Sequence, residues 1–247
     1  MSNIYSISNH KGGVGKTTST INIGAGLNKL GHSVLLIDLD PQANLSQSLG
    51  IFNEKSNIYT ALSGDTPLEP MEVIPGFDVV PSTLDLSGAE IELASEAGRE
   101  YILKELIDDL KKKYDYILID CPPSLGLLTI NAFAASDKVY IPLQAQYLAV
   151  QGLTKLVEVI GKVRKRLNKK LVPGGVFITQ YDARKILNRD IVGVIEGHFK
   201  EDVFNTKIRD NIALAEAPTQ ALDIFRYNPK SYGAEDYLNL VKEMITK

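Results

Sequence analysis

The sequence predicts an α/β fold, with one mostly parallel β-sheet covered by helices on both faces, as a single domain over residues 1–247. Three observations predict it. Short β-branched apolar runs alternate with segments of helical spacing. The apolar runs are near-continuous rather than alternating, as in strands buried on both faces. A glycine-rich turn joins the first strand to the first helix, at the strand end where such sheets take their ligands.

The elements follow in order. "NIYSIS" (3–8) reads as a strand, and "TTSTINIGAGLNKLG" (17–31) as a helix with Ile21, Ala25 and Leu27 near helical spacing and Gly31 as its stop. Further strands are expected at 33–40, 77–82, 114–120, 137–143 and 174–182. Helices are expected at 98–113, 125–136, 147–168, 188–199 and 233–246. No Pro/Gly/Ser-rich linker, repeat or low-complexity tract divides the chain, and strands alternating with helices imply parallel pairing.

Composition bounds the function. With 44% hydrophobic and 23% charged residues the chain has an ordinary globular balance. One cysteine, Cys121, excludes an internal disulfide framework and is compatible with a reducing cytoplasm. No secretory signal is expected, and no apolar run reaches the ~20 residues a membrane span needs. Charge is split: residues 1–150 hold 10 Lys+Arg against 18 Asp+Glu, and residues 151–247 hold 17 against 12. The acidic total therefore leaves room for a basic face.

The chemistry starts at "HKGGVGKTT" (10–18). Strand, Gly-rich turn, helix is the context of a phosphate-binding loop. Gly12, Gly13 and Gly15 let backbone N–H groups turn inward, and the helix N-terminus adds partial positive charge. Lys16 is placed to reach β- and γ-phosphates, and the Thr17 hydroxyl to ligate Mg²⁺. The fold class is thus refined to a phosphate-loop NTPase. Two further strand ends carry acids, Asp38 and Asp40 in "LLIDLDPQAN" and Asp120 in "YILIDCPPS". Four apolar residues followed by Asp120 is the Walker-B pattern, which holds Mg²⁺. Asp38 and Asp40, two apart, share a face if the strand continues. One would then position the attacking water while the other helps organise Mg²⁺; a turn before Pro41 is the alternative.

"KGGVGKTT", "DLDPQAN" and "DCPPSLGLLTINA" resemble the deviant Walker-A ATPases, specifically the short-form ParA/Soj partition proteins. The likeness extends through "STLDLSGAEIEL", "YDAR", "AEAPTQALDI" and "SYGAEDYL", and so covers nearly the whole chain. With the loop starting at residue 10, the N-terminal helix-turn-helix domain of longer relatives is not expected. The resemblance implies an ATPase using ATP and Mg²⁺, slow and partner-stimulated. Residues Lys11, Gly12, Gly13, Val14, Gly15, Lys16, Thr17 and Thr18 would hold the phosphates.

Lys11 would be the family's signature lysine, reaching the partner subunit's nucleotide when two subunits close around two ATP molecules. His10 stands where relatives mostly have Gln. Asp40 would position water, and Thr17, Asp38 and Asp120 would form the Mg²⁺ surroundings. "CPPSLG" would sense the γ-phosphate. Adenine would lie near Pro218, with Tyr181 and Asp182 close by. A ParB-like centromere-binding protein would stimulate hydrolysis.

Relatives also bind DNA without sequence preference, as ATP dimers, through basic residues of the C-terminal half. Here Arg184 of "YDAR" is kept, with Arg189 close in sequence. Where relatives read I-P-R-N-V-R, this chain reads "IRDNIA" (208–213), so that Ala213 and Asp210 replace arginines and Arg209 and Lys207 are left to compensate. "GKVRKRLNKK" (161–170) adds six basic residues within ten, which a solvated helix face explains as well as a DNA contact does. The C-terminal stripe Tyr237, Leu238, Val241, Met244 and Ile245 is expected on the core, and its acidic neighbours suit anionic lipid poorly. The expected protein is thus cytoplasmic and nucleoid-associated, segregating a plasmid or chromosome. The alternative is a relative that positions a protein cargo on the nucleoid.

Overall fold

The computed structural model describes residues 2–52, 54–146 and 149–247. Eight strands form one sheet: β1 (Asn3–Ile7), β2 (Val34–Asp38), β3 (Met71–Ile74), β4 (Phe77–Val80), β5 (Tyr116–Asp120), β6 (Lys138–Gln144), β7 (Val172–Tyr181) and β8 (Val203–Arg209). Their order is β3-β4-β2-β5-β1-β6-β7-β8. Every pairing is parallel except the edge hairpin β3–β4. The helices are α1 (Lys16–Lys29), α2 (Asn44–Ser48), α3 (Ile58–Leu62), α4 (Leu86–Glu92), α5 (Ile102–Asp108), α6 (Leu127–Ala135), α7 (Ala149–Arg166), α8 (Ile186–Phe199), α9 (Ile212–Glu216), α10 (Ile224–Tyr227) and α11 (Tyr232–Thr246).

Strand side chains alternate between two cores, as a period of two requires. Ile4, Leu35, Ile117 and Ile141 face one core with α5, α6, α7 and α8. Tyr5, Leu36, Leu118 and Tyr140 face the other, with α1 and α11. Helix α1 lies hard against the sheet because Gly24 has no side chain. A Cβ there would sit 2.7 Å from Leu36 Cδ2 and 3.0 Å from Phe77. Tyr237 fastens α11 to α1 through a 2.9 Å hydrogen bond with Ser19.

Several boundaries differ from the sequence expectation. The helix expected over 98–113 narrows to α5 and a short 3₁₀ turn at Leu110–Lys112. The first two residues of the helix expected at 147–168 lie outside the described residues. On α11 the buried stripe is Tyr237, Leu240, Val241 and Met244, whereas Ile245 faces solvent. Strands β3 and β8 were not expected. β3 is short and only partly buried at the sheet edge. β8 reads "VFNTKIR", whose polar positions disguise a strand with one face packed under α11.

Candidate nucleotide site

The loop after β1 folds as its glycines demand. Gly13 and Gly15 take φ of 73° and 83°, a left-handed conformation costly for other residues. Gly15 is the N-cap of α1, and no side chain caps the helix. The first N–H groups of α1 therefore face the loop cavity unpartnered by a cap, the arrangement that binds anions. Lys16 is buried and donates to the Lys11 carbonyl at 3.1 Å. Burial lowers its pKa, opposed by the charges of Asp120 and Asp40.

The loop is braced by residues that sequence reasoning missed. Asn9 accepts from the Lys11 N–H at 3.0 Å and donates to the Pro142 carbonyl at 2.8 Å. Thr179 donates to the Val14 carbonyl at 2.8 Å, and Gln180 to the Gly13 carbonyl at 2.9 Å. Gln144 in turn donates to Gln180 at 2.7 Å. Gln144, Thr179 and Gln180 come from β6 and β7, far away in sequence, and no local signal marks them. Lys11 lies exposed at the loop's edge, with its ammonium on the side-chain carbonyl of Gln146.

Three carboxylates gather beneath the loop. Thr17 donates to Asp120 Oδ2 at 2.7 Å and Thr20 to Oδ1 at 3.2 Å. Asp120 is buried, and desolvation together with the nearby charge of Asp38 pushes its pKa up to about 8. Asp38 is also buried, with its pKa raised to about 6 by desolvation although Ser46 donates both N–H and hydroxyl to its Oδ2. β2 stops at Asp38, so Asp38 and Asp40 do not share a strand face. Asp40 sits in the turn that follows, its N–H 3.3 Å from Asp38 Oδ1 and its own Oδ1 accepting from Gln42.

Among the described residues no three His, Cys, Asp or Glu side chains stand together as an all-protein metal cage. A hydroxyl beside buried carboxylates, all hard oxygen donors, fits Mg²⁺, which keeps water and phosphate in its shell. Beyond Asp120, the first turn of α6 is held by Glu90 of α4, whose Oε1 accepts from the Leu128 N–H at 3.1 Å.

A groove of about 180 Å³ opens beside the loop, between Gly15 and Thr18 on one side and Asp210, Asn211 and Leu214 on the other. Tyr181, Asp182 and Pro218, expected near adenine, do not line it. The Asp182 carboxylate is instead forked by Arg184 at 2.9 and 3.0 Å, which holds its pKa down to about 2. Pro218 lies in a 3₁₀ turn at Ala217–Gln220.

The residues expected on DNA are largely engaged within the chain. Arg209 lines the groove, donates to both oxygens of buried Asp236 and to Glu235, and stacks 4.1 Å from the Tyr232 ring centroid. Lys207 pairs with Glu196 at 3.0 Å. Arg189 donates to the Ala183 carbonyl at 3.0 Å. No helix among the described residues is long and apolar enough to cross a membrane.

A parallel sheet with a glycine-rich loop at the N-terminus of α1, and Thr17 on a Walker-B aspartate, defines a phosphate-loop nucleotide-binding protein. The AAA domain family matches residues 2–172. The sporulation initiation inhibitor protein Soj of Bacillus subtilis is 45% identical over 99% of this chain and 98% of its own length. The chromosome partitioning protein ParA of Caulobacter vibrioides is 41% identical over 99% of this chain and 94% of its own. Cobyrinic acid a,c-diamide synthase from Mycobacterium smegmatis, solved with an ATP analog and magnesium, superposes with a TM-score of 0.86 at 34% identity, over 98% of this chain and 93% of that one. The chain belongs to the AAA domain family and, within it, to the ParA/Soj-type partition proteins.

Proposed function

We propose that the protein is a ParA/Soj-type partition ATPase. It binds ATP and Mg²⁺ at the loop after β1, closes into a sandwich dimer, and in that state binds DNA without sequence preference. Hydrolysis, slow alone and stimulated by a ParB-like partner, releases it. The homologues' names and the ATP-analog-bound structural relative support the ATPase and partition parts.

The observation that carries the reading is the pair of lysines with opposite placements. Lys16 is buried against its own loop, while Lys11 is exposed, with the neutral Gln146 as its partner and, among the described residues, no carboxylate on it. In our reading Lys16 and the α1 N–H groups hold the phosphates of their own subunit. Lys11 is left free to approach the partner's. A cation supplied in trans is worth ~10³–10⁵ in rate where charge develops on a transferring phosphoryl group. Bound Mg²⁺ supplies further neutralisation of the phosphate oxygens, with Thr17, Asp38 and Asp120 as its protein surroundings. Asp40, whose charge acts on Lys16 and whose carboxylate is not tied up by Ser46 or Thr17, orients the attacking water. Adenine occupies the groove closed by Asp210 and Asn211.

Gel shifts of mixed-sequence duplex DNA with ATP, with ADP and without nucleotide test the partition reading. A shift only with ATP is expected. A shift independent of nucleotide contradicts it.

A further inference from the structure

His10 stands at the leading edge of the phosphate loop, and its ring rests on α7. A Cβ built on Gly152, early in that helix, would lie 2.0 Å from His10 Cε1, 2.8 Å from Nε2 and 3.1 Å from Nδ1. The imidazole therefore fills the space that a side chain at 152 would take. Nothing in the backbone demands glycine there, because its φ is not positive, and glycine is a costly residue inside a helix. What Gly152 supplies is room, and His10 occupies it.

The residue after His10 is Lys11, whose peptide unit is held on both sides. Its N–H donates to Asn9 Oδ1 at 3.0 Å, and Asn9 donates to the Pro142 carbonyl at 2.8 Å. Its carbonyl accepts from Lys16 Nζ at 3.1 Å. Its own ammonium rests on the side-chain carbonyl of Gln146. Two of these holds end when the site is loaded and closed as proposed above. Lys16 turns to the phosphates of its own subunit, and Lys11 Nζ leaves Gln146 for the partner's. What stays in place is Asn9 on β6 and the His10 ring on α7.

We infer that His10, seated against Gly152, is a positioning residue for Lys11, anchoring the leading edge of the loop to α7 so that the lysine is aimed across the dimer. This role rests on the trans action proposed for Lys11 and names what directs it. Charge stabilisation in phosphoryl transfer depends on placement, and a shift of about 1 Å costs on the order of 10²-fold in rate. An unanchored loop edge presents the lysine over a range of positions and thins out the productive one.

The test is a double-mutant cycle in the full chain: His10→Ala, Gly152→Ala and the two together, read by ATP turnover with Mg²⁺. Alanine favours a helix more than glycine does, so Gly152→Ala should melt no lower than the parent. It displaces the exposed His10 ring instead. Each single variant is expected to lose about tenfold or more in kcat, with KM for ATP within about twofold, because Lys16 and α1 still hold the nucleotide. The double variant should be no slower than the slower single one, since both changes remove the same contact. His10→Gln keeps a planar side chain to lie on Gly152 and should retain most of the rate. Without nucleotide, the His10 imidazole signal in the NMR spectrum should move in Gly152→Ala. Those of the other two histidines, His32 and His198, should stay.

Losses that multiply in the double variant, an unmoved His10 signal in Gly152→Ala, or a His10→Gln variant as slow as His10→Ala overturns the inference. So does a lower melting temperature for Gly152→Ala, which makes the room at 152 a requirement of folding. Lys11→Ala is assayed alongside. At the parent rate it overturns the trans-lysine reading itself. If it is inactive while His10→Ala and Gly152→Ala run at the parent rate, that reading stands and the positioning role of His10 falls.

Discussion

The Thr17 hydroxyl donates to Asp120 Oδ2 at 2.7 Å, joining the first turn of α1 to the end of β5. The acceptor is a buried carboxylate whose pKa is pushed up to about 8. A carboxylate raised in the folded state keeps its proton where the unfolded chain has lost it. The protein therefore loses stability as pH rises from about 4 towards 8. Asp120→Asn removes that titration. The variant should be more stable than the parent by at least ~1 kcal/mol at pH 8, with the advantage shrinking towards pH 5. Urea unfolding of the nucleotide-free proteins at the two pH values measures it. The same variant should lose Mg²⁺-dependent hydrolysis.

Lys16→Ala should abolish binding of a fluorescent ATP analogue while leaving far-UV circular dichroism unchanged. The lost charge-assisted contact is worth ~1.5–3 kcal/mol or more. Unchanged binding would sink the phosphate assignment.

Asp40→Ala should bind ATP and accumulate as a dimer, because the sandwich forms while water is no longer oriented. Size-exclusion chromatography with Mg²⁺ and ATP reports it. A nucleotide-loaded monomer counts against the role given to Asp40.

Arg209→Ala should act on nucleotide affinity and stability. The guanidinium is forked to Asp236, which is only 7% exposed, and Arg209 adjoins the Asp210–Asn211 wall of the groove. Removing it leaves a buried carboxylate short of its partner, at a cost of ~2–4 kcal/mol. ATP titration should show weaker binding, and chemical denaturation a lower midpoint. The salt slope of DNA binding should stay unchanged.

The contrast between Lys16 and Arg209 shows what the sequence makes legible. The loop, its flanking strand and helix, and Asp120 at the end of an apolar run are local patterns, and the phosphate end of the site follows from them. The six internal strands read clearly because both faces are buried. β3 escaped notice as a short, half-exposed edge, and β8 because its polar positions broke the apolar run. The groove wall at Asp210 and Asn211, the braces Thr179 and Gln180, and the pairing of Arg209 with Asp236 all join residues distant in sequence. Charge alone made Arg209 look available for DNA. Its partner, 27 positions away, shows that it is engaged.

In the proposed sandwich dimer, Lys11 acts on the nucleotide of the other subunit. Lys11→Ala subunits, mixed with Lys16→Ala subunits that carry an intact Lys11 but an empty site, test it most directly through ATP turnover. In a mixed dimer the only filled site belongs to the Lys11→Ala subunit, and it faces the other subunit's Lys11. Each variant alone should be inactive, and turnover should appear on mixing, greatest near equal amounts. A Lys11→Ala homodimer that hydrolyses ATP at the parent rate, or stable mixed dimers with no turnover at any ratio, would rule out action of Lys11 in trans.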